Sequence, residues 1–208
     1  MDEDEDDVDY GQITVDALNR ATDPIKLLKK TKGVGDNRRA DNANKKELFP
    51  KDKHPHPANF YKDEWSFITD TGLRENIAYQ MQYLEFLINL YNEYQIYLTI
   101  ESLLCKDILA TVGGIVEAAL FDMIQNAKTK AGMPMGNRTD FTALLGEAYH
   151  SFKLIDRDLW SYFHELRKVR NYVHLKAADF QEHTAYTVEE TNEAITKLEQ
   201  FRLSLVSK

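Results

Sequence analysis

The sequence predicts an all-α protein, an antiparallel bundle of four to five helices preceded by a largely irregular arm. From about residue 72 onward, apolar residues recur at three- and four-residue spacing, the signature of amphipathic helices. No segment shows the apolar–polar alternation and tight turns of a strand pair. The connections between the periodic segments are short, which favours antiparallel neighbours.

The first helix is expected from about residue 72, with Ile77, Met81, Leu84, Leu87 or Ile88, Tyr91, Tyr94 and Leu98 on one face. A second runs from about 101 to 129, where "AGMPMGNR" stops it with two glycines and a proline. Its middle, "ILATVGGIVEAALF", is apolar almost all round, so this helix should be central. At 14 residues that run is too short for the ~20 a bilayer needs. Gly113 and Gly114 in mid-helix suggest close approach of a neighbour, since each costs ~1 kcal/mol against Ala. A short third helix follows from about 139 to 149. The fourth starts at Asp156, a fitting N-cap, and is expected to reach about residue 178. The fifth opens at "TVEE", where Thr187 and Glu190 form a capping box.

Residues 1–60 lack sustained periodicity and read as a mostly disordered or docking arm; 61–208 form the bundle domain. Seven acids and no base fill residues 1–9, and ten Lys/Arg against four acids fill 26–53. The net charge is −8, and the body stays acidic, which argues against a broad polyanion-binding surface but not a local one. An acidic N-terminus is unlike a secretory leader, and the single cysteine, Cys105, allows no internal disulfide. A cytoplasmic protein without membrane contact is expected. His54 and His56 in "KHPHP" read as Pro-rich linker rather than metal ligands, and no cofactor motif occurs.

Chemistry concentrates in "ELRKVRNYVHL", residues 165–175. Leu159, Tyr162, Leu166, Val169 and Val173 form the apolar stripe of the fourth helix. At 100° per residue, Arg167 and His174 lie within about 20° of each other on the helix shoulder, flanked by Arg170 and Asn171. Guanidiniums suit phosphate, and an imidazole can move a proton near neutral pH. The same residue types also serve as ordinary surface ion-pair partners. Glu117, the only charge in its apolar run, needs a partner if buried; Arg167 and Arg170 are candidates, and reaching solvent is the alternative. His164, about 60° from Arg167, could join the same groove, although a surface histidine is the commoner role. Tyr79, Tyr83, Phe86, Tyr91, Tyr94 and Tyr97 read as core and dimer interface rather than a base-stacking set.

The "ELRKVRNYVHL" helix, behind a long helix carrying "GGIVEAALFDMI", resembles the HEPN superfamily over roughly residues 72–206. Arg167 stands six residues before His174, within that family's Arg-x(4–6)-His pattern. The resemblance implies a metal-independent endoribonuclease, often a toxin or phage-defence effector held by an antitoxin or other regulatory protein. It implies a homodimer with two motifs facing one cleft. His174 would move the proton, Arg167 would stabilise the phosphorane, Asn171 would position a phosphate oxygen, Arg170 would bind phosphate and Glu117 would support the site. Where several members carry Tyr two residues after the His, this chain has Lys176. An inactive helical module for protein or nucleotide binding is the alternative.

Overall fold

The computed structural model describes residues 53–134, 140–171 and 185–206. Among them are six helices and no strand: α1 (Ala58–Glu64), α2 (Thr71–Glu93), α3 (Leu98–Lys130), α4 (Phe141–Gly146), α5 (Arg157–Asn171) and α6 (Val188–Val206). A π-helical turn, Glu147–Ser151, extends α4. No described helix is long and apolar enough to cross a membrane.

Helix α3 is the axis of the molecule, as its composition predicts. It packs against α2, α4, α5 and α6, so apolar residues on several of its sides are needed and buried: Ile108, Val112, Ile115, Val116, Ala119, Leu120 and Ile124. Each of these side chains larger than that of Ala119 contributes about 1.5–3 kcal/mol on leaving water. Helix α2 runs antiparallel to α3. Tyr91 Oη donates to Glu101 Oε1 (2.9 Å) at one end of the pair, and the backbone N–H groups of Thr69 and Asp70 reach Asp122 at the other. Helix α6 lies beside α3 in the same direction, since Tyr186 N donates to Ser102 Oγ (2.8 Å) and Cys105 meets Thr191. The bundle is therefore not antiparallel throughout.

Local chemistry sets the helix starts. Asp70, Asp140 and Asp156 each accept a hydrogen bond from the N–H three residues on. The Thr187–Glu190 box closes reciprocally: Thr187 N donates to Glu190 Oε2 (2.9 Å) and Glu190 N to Thr187 Oγ1 (3.2 Å). Helix α2 stops at Glu93, with Tyr94 already extended, and Leu98 opens α3 at φ 51. The apolar stripe expected to continue through Tyr94 and Leu98 therefore breaks. Leu98 is 84% exposed, and Tyr94, Tyr97 and Ile100 are exposed beside it. Tyr79 and Tyr83 are exposed too, whereas Phe86 and Tyr91 pack on the core. At Gly114 an added Cβ would meet nothing within 4 Å, so that glycine does not mark a close helix approach.

Helix α1 is absent from the sequence reading, and the expected domain boundary at residue 60 falls inside it. Residues 53–57 lead into it as a strap along α2. Asn89 Nδ2 donates to Lys53 O (2.9 Å), Gln82 Nε2 to His56 O (3.0 Å), and Lys53 Nζ pairs with Glu93 (2.9 Å). Glu85 accepts from His56 N (2.6 Å) and Tyr61 Oη (2.5 Å) and pairs with His56 Nδ1 (2.8 Å). Gln82, Glu85, Asn89 and Glu93 follow one another at three- and four-residue steps, so one face of α2 holds the whole strap. Trp65 and Ile68, just past α1, have no exposed surface.

Candidate functional site

Helix α5 is strongly amphipathic. Leu159, Phe163 and Leu166 are buried, and Phe163 meets Phe201 of α6 edge-on at 5.5 Å. Phe163, not foreseen in the stripe, sits at its centre, while Tyr162 and Val169 are only partly buried. Lys197 of α6 pairs with Asp158 (2.5 Å), and Glu190 and Glu193 help to raise the Tyr162 phenol, after burial. Positions 158 and 162 thus face 197 and 190–193, so α5 and α6 are antiparallel.

Arg167 lies half-buried on the shoulder of α5. Its Nε is shut off from solvent and has no hydrogen-bond partner among the described residues. Next to it in the chain, Lys168 binds Glu165 (2.5 Å); this bond first, with His164 and Arg167 adding to it, holds the Glu165 carboxyl below its usual range. Although α3 and α5 pack, no hydrogen bond or salt bridge among the described residues joins Glu117 to Arg167. Glu117 is half-buried and has an interaction partner, and the pairing with Arg170 lies outside the described side chains. Arg170 and Asn171 lie in the last turn of α5 with side chains outside the described set, and His174 and Val173 lie outside the described residues.

Beside Arg167 runs a row of rings that sequence reading missed, apart from His164. Tyr149 and Trp160 stack with centroids 5.4 Å apart and planes at 28°. Trp160 and His164 stack at 5.5 Å and 27°. His150 meets Trp160 edge-on at 6.0 Å, and Lys153 Nζ stands 5.5 Å from the Tyr149 centroid. The π turn and Lys153, held at φ 54, bring Tyr149 to α5. The i, i+4 spacing of Trp160 and His164 could have signalled half of this row. Nothing local signals Tyr149, which arrives across a connection.

The acid buried deepest on α3 is Asp122, not Glu117. It is 3% exposed and accepts from Thr69 N (2.9 Å), Asp70 N (2.9 Å), Thr69 Oγ1 (3.1 Å) and Asn126 Nδ2 (2.9 Å). These bonds fix the start of α2, so its role is architectural. A second polar cluster surrounds Glu85. Its hydrogen bond raises the His56 imidazole above its ordinary value, against burial, with the charges of Glu85 and Glu64 adding to it. Burial first, then Glu199 and Glu85, raises Glu64, opposed by Arg202 and His56. Every described donor to Glu85 comes from the strap or α1, so this cluster too is a clamp. Among the described residues no group of three or more His, Cys, Asp or Glu is placed to hold a metal. Comparison with family models, curated proteins and solved structures finds no match for this chain.

Proposed function

We propose that the chain is a HEPN-type endoribonuclease acting without a metal, with its site at the C-terminal half of α5. The observation that carries the reading is Arg167: a half-buried guanidinium whose Nε has no partner among the described residues, on the shoulder of an amphipathic helix packed on a central one. With the Nε shut off, a phosphate oxygen would have to meet the outer nitrogens of this half-buried side chain, whose planar fork suits it. The all-helical architecture supports the same reading.

In this reading His174 takes the proton of the RNA 2′-hydroxyl as its oxygen attacks phosphorus. The P–O5′ bond breaks, the 5′-oxygen leaves with a proton, and a 2′,3′-cyclic phosphate remains. Arg167 stabilises the charge on the phosphorane, Asn171 positions a phosphate oxygen and Arg170 contacts a phosphate. Two copies would bring their motifs to one cleft, and a regulatory partner would restrain the activity in the cell.

The test is incubation of the full chain with total RNA in EDTA beside His174→Ala. Cyclic-phosphate ends that vanish in the variant, with a loss of about 10²-fold or more for a removed proton-transfer group, support the proposal. RNA left intact at high protein concentration overturns it and leaves a helical binding module.

A further inference from the structure

The turn between α2 and α3 leaves in water several apolar side chains that the core does not claim. Leu98 is 84% exposed, Ile100 63%, Tyr97 60% and Leu103 50%. Ile100 N donates to Tyr97 O (3.2 Å), and Leu103 follows Ile100 by three positions, so these side chains are neighbours on the first turns of α3. Apolar residues exposed singly are ordinary. A contiguous group of this size marks a contact surface.

Acids surround this patch. Glu101 stands between Ile100 and Leu103 and accepts from Tyr91 Oη (2.9 Å). Asp107, exposed, lies one turn beyond Leu103, close enough to Tyr83 to raise its phenol after burial does. Glu189 and Glu190 are exposed in the first turn of α6, which Tyr186 N pins to Ser102 Oγ (2.8 Å). The charges of Glu101, Glu190 and Glu189 all reach Cys105, so these three carboxylates gather around the same stretch of α3. Between residues 97 and 107 the one cation is Lys106. A second copy seated symmetrically on this patch would set the acids against their own counterparts, which costs binding energy. The fitting occupant is an apolar segment flanked by cations.

The chain carries such a segment. Residues 25–30, "IKLLKK", set Ile25, Leu27 and Leu28 among Lys26, Lys29 and Lys30 with no acid. They belong to the part of the chain outside the described residues, which enters the structure at Lys53, paired with Glu93 (2.9 Å) just before the turn. Twenty-two residues lie between Lys30 and Lys53, a reach of up to ~75 Å, whereas Glu93 and Leu103 are at most ~25 Å apart along four extended residues and the start of a helix. Residues 172–184, which lead to Tyr186 beside the same patch, carry one lysine against two acids and lack the complementary charge. We propose that residues 25–30 dock on the patch of Tyr97, Leu98, Ile100 and Leu103 in the same molecule. Ile25, Leu27 and Leu28 cover the apolar side chains, and the three lysines stand beside Glu101, Asp107, Glu189 and Glu190. This docking does not depend on the ribonuclease reading.

Photo-cross-linking of the full chain tests it. Benzoylphenylalanine replaces Leu28, the protein is irradiated at high dilution, and digestion with mass spectrometry locates the adducts. A second preparation carries the probe at Phe49, nearer to Lys53. Adducts from position 28 to residues 97–103 within one molecule are expected. Ile100→Asp puts a charge into the apolar contact and should remove most of that adduct. Ile100 is 63% exposed, so the variant should keep its Tm within about 2 °C, which excludes misfolding as the cause. Lys26→Glu, Lys29→Glu and Lys30→Glu together should also remove most of the adduct. Salt near 1 M, where the screening length falls to about 3 Å, should lower the wild-type yield. Adducts scattered over the bundle, adducts joining two copies, a patch reached from position 49 but not from 28, or a yield indifferent to Ile100→Asp or to the lysine changes overturns the proposal.

Discussion

Asp122 shows how much one buried carboxylate can decide. Two backbone N–H groups and an amide converge on it, and the Thr69 hydroxyl shares its one proton between it and Asn126 Oδ1. Asp122→Ala would strand the N–H groups of Thr69 and Asp70 at the start of α2. Unpaired buried donors cost about 1–3 kcal/mol each. We expect a loss of about 3 kcal/mol, or about 6–12 °C in Tm for a domain of this size, in a thermal melt. A shift under 2 °C would mean that water replaces the carboxylate and that the site is not buried in solution. The sequence places this acid one residue past the apolar run, where it looks like a solvated edge. Apart from Asn126 one turn on, its partners stand more than fifty positions away, so no local pattern could reveal them.

The helices differ in how far their limits are written locally. The start of α6 is: Thr187 and Glu190 satisfy each other's backbone, and the capping box is read directly from "TVEE". Thr187→Ala is expected to cost about 1 kcal/mol, a fall of about 2–4 °C in Tm. Glu190→Ala should cost a similar amount, and the double variant clearly less than the sum, because each side chain serves the same turn. Strict additivity by calorimetry would contradict the reciprocal geometry. The start of α5 at Asp156 is equally legible. Helix α1 is not, because its seven residues owe their conformation to Glu85 and Gln82 on α2 rather than to their own propensity. The same limit applies to the site. Arg167 on its shoulder follows from helical spacing, but the stacking of Tyr149 on Trp160 depends on a π turn and a left-handed lysine that the sequence does not announce.

Across the whole molecule, the strap of residues 53–57 closes one side of the bundle, and its grip depends on protonation. The groups around His56 are Glu85 on α2 and Tyr61 and Glu64 on α1; beyond Glu64 lie Glu199 and Arg202 of α6. Glu85 raises the imidazole above its ordinary value near 6.5. A raised folded-state value means that the clamp's ionic contribution is complete below about pH 6.5 and disappears as pH climbs through the folded-state value. Tm compared between wild type and His56→Gln should differ by about 2–4 °C at pH 6, with the gap narrowing toward pH 9. A gap independent of pH would show that the bond holds through the neutral ring alone.

The strap ends at Lys53, against Glu93 and next to the turn that opens α3. Tyr149 follows Glu147, which binds Lys128 at the other extremity of the same helix. Thirty residues of α3, about 45 Å, separate the two points. The chain therefore enters the described structure at the pole far from the rings and from the long helix's last turn. Forty-three residues lie between the acidic run and Lys53, a contour of well over ~100 Å at full extension against the ~45 Å between those two points.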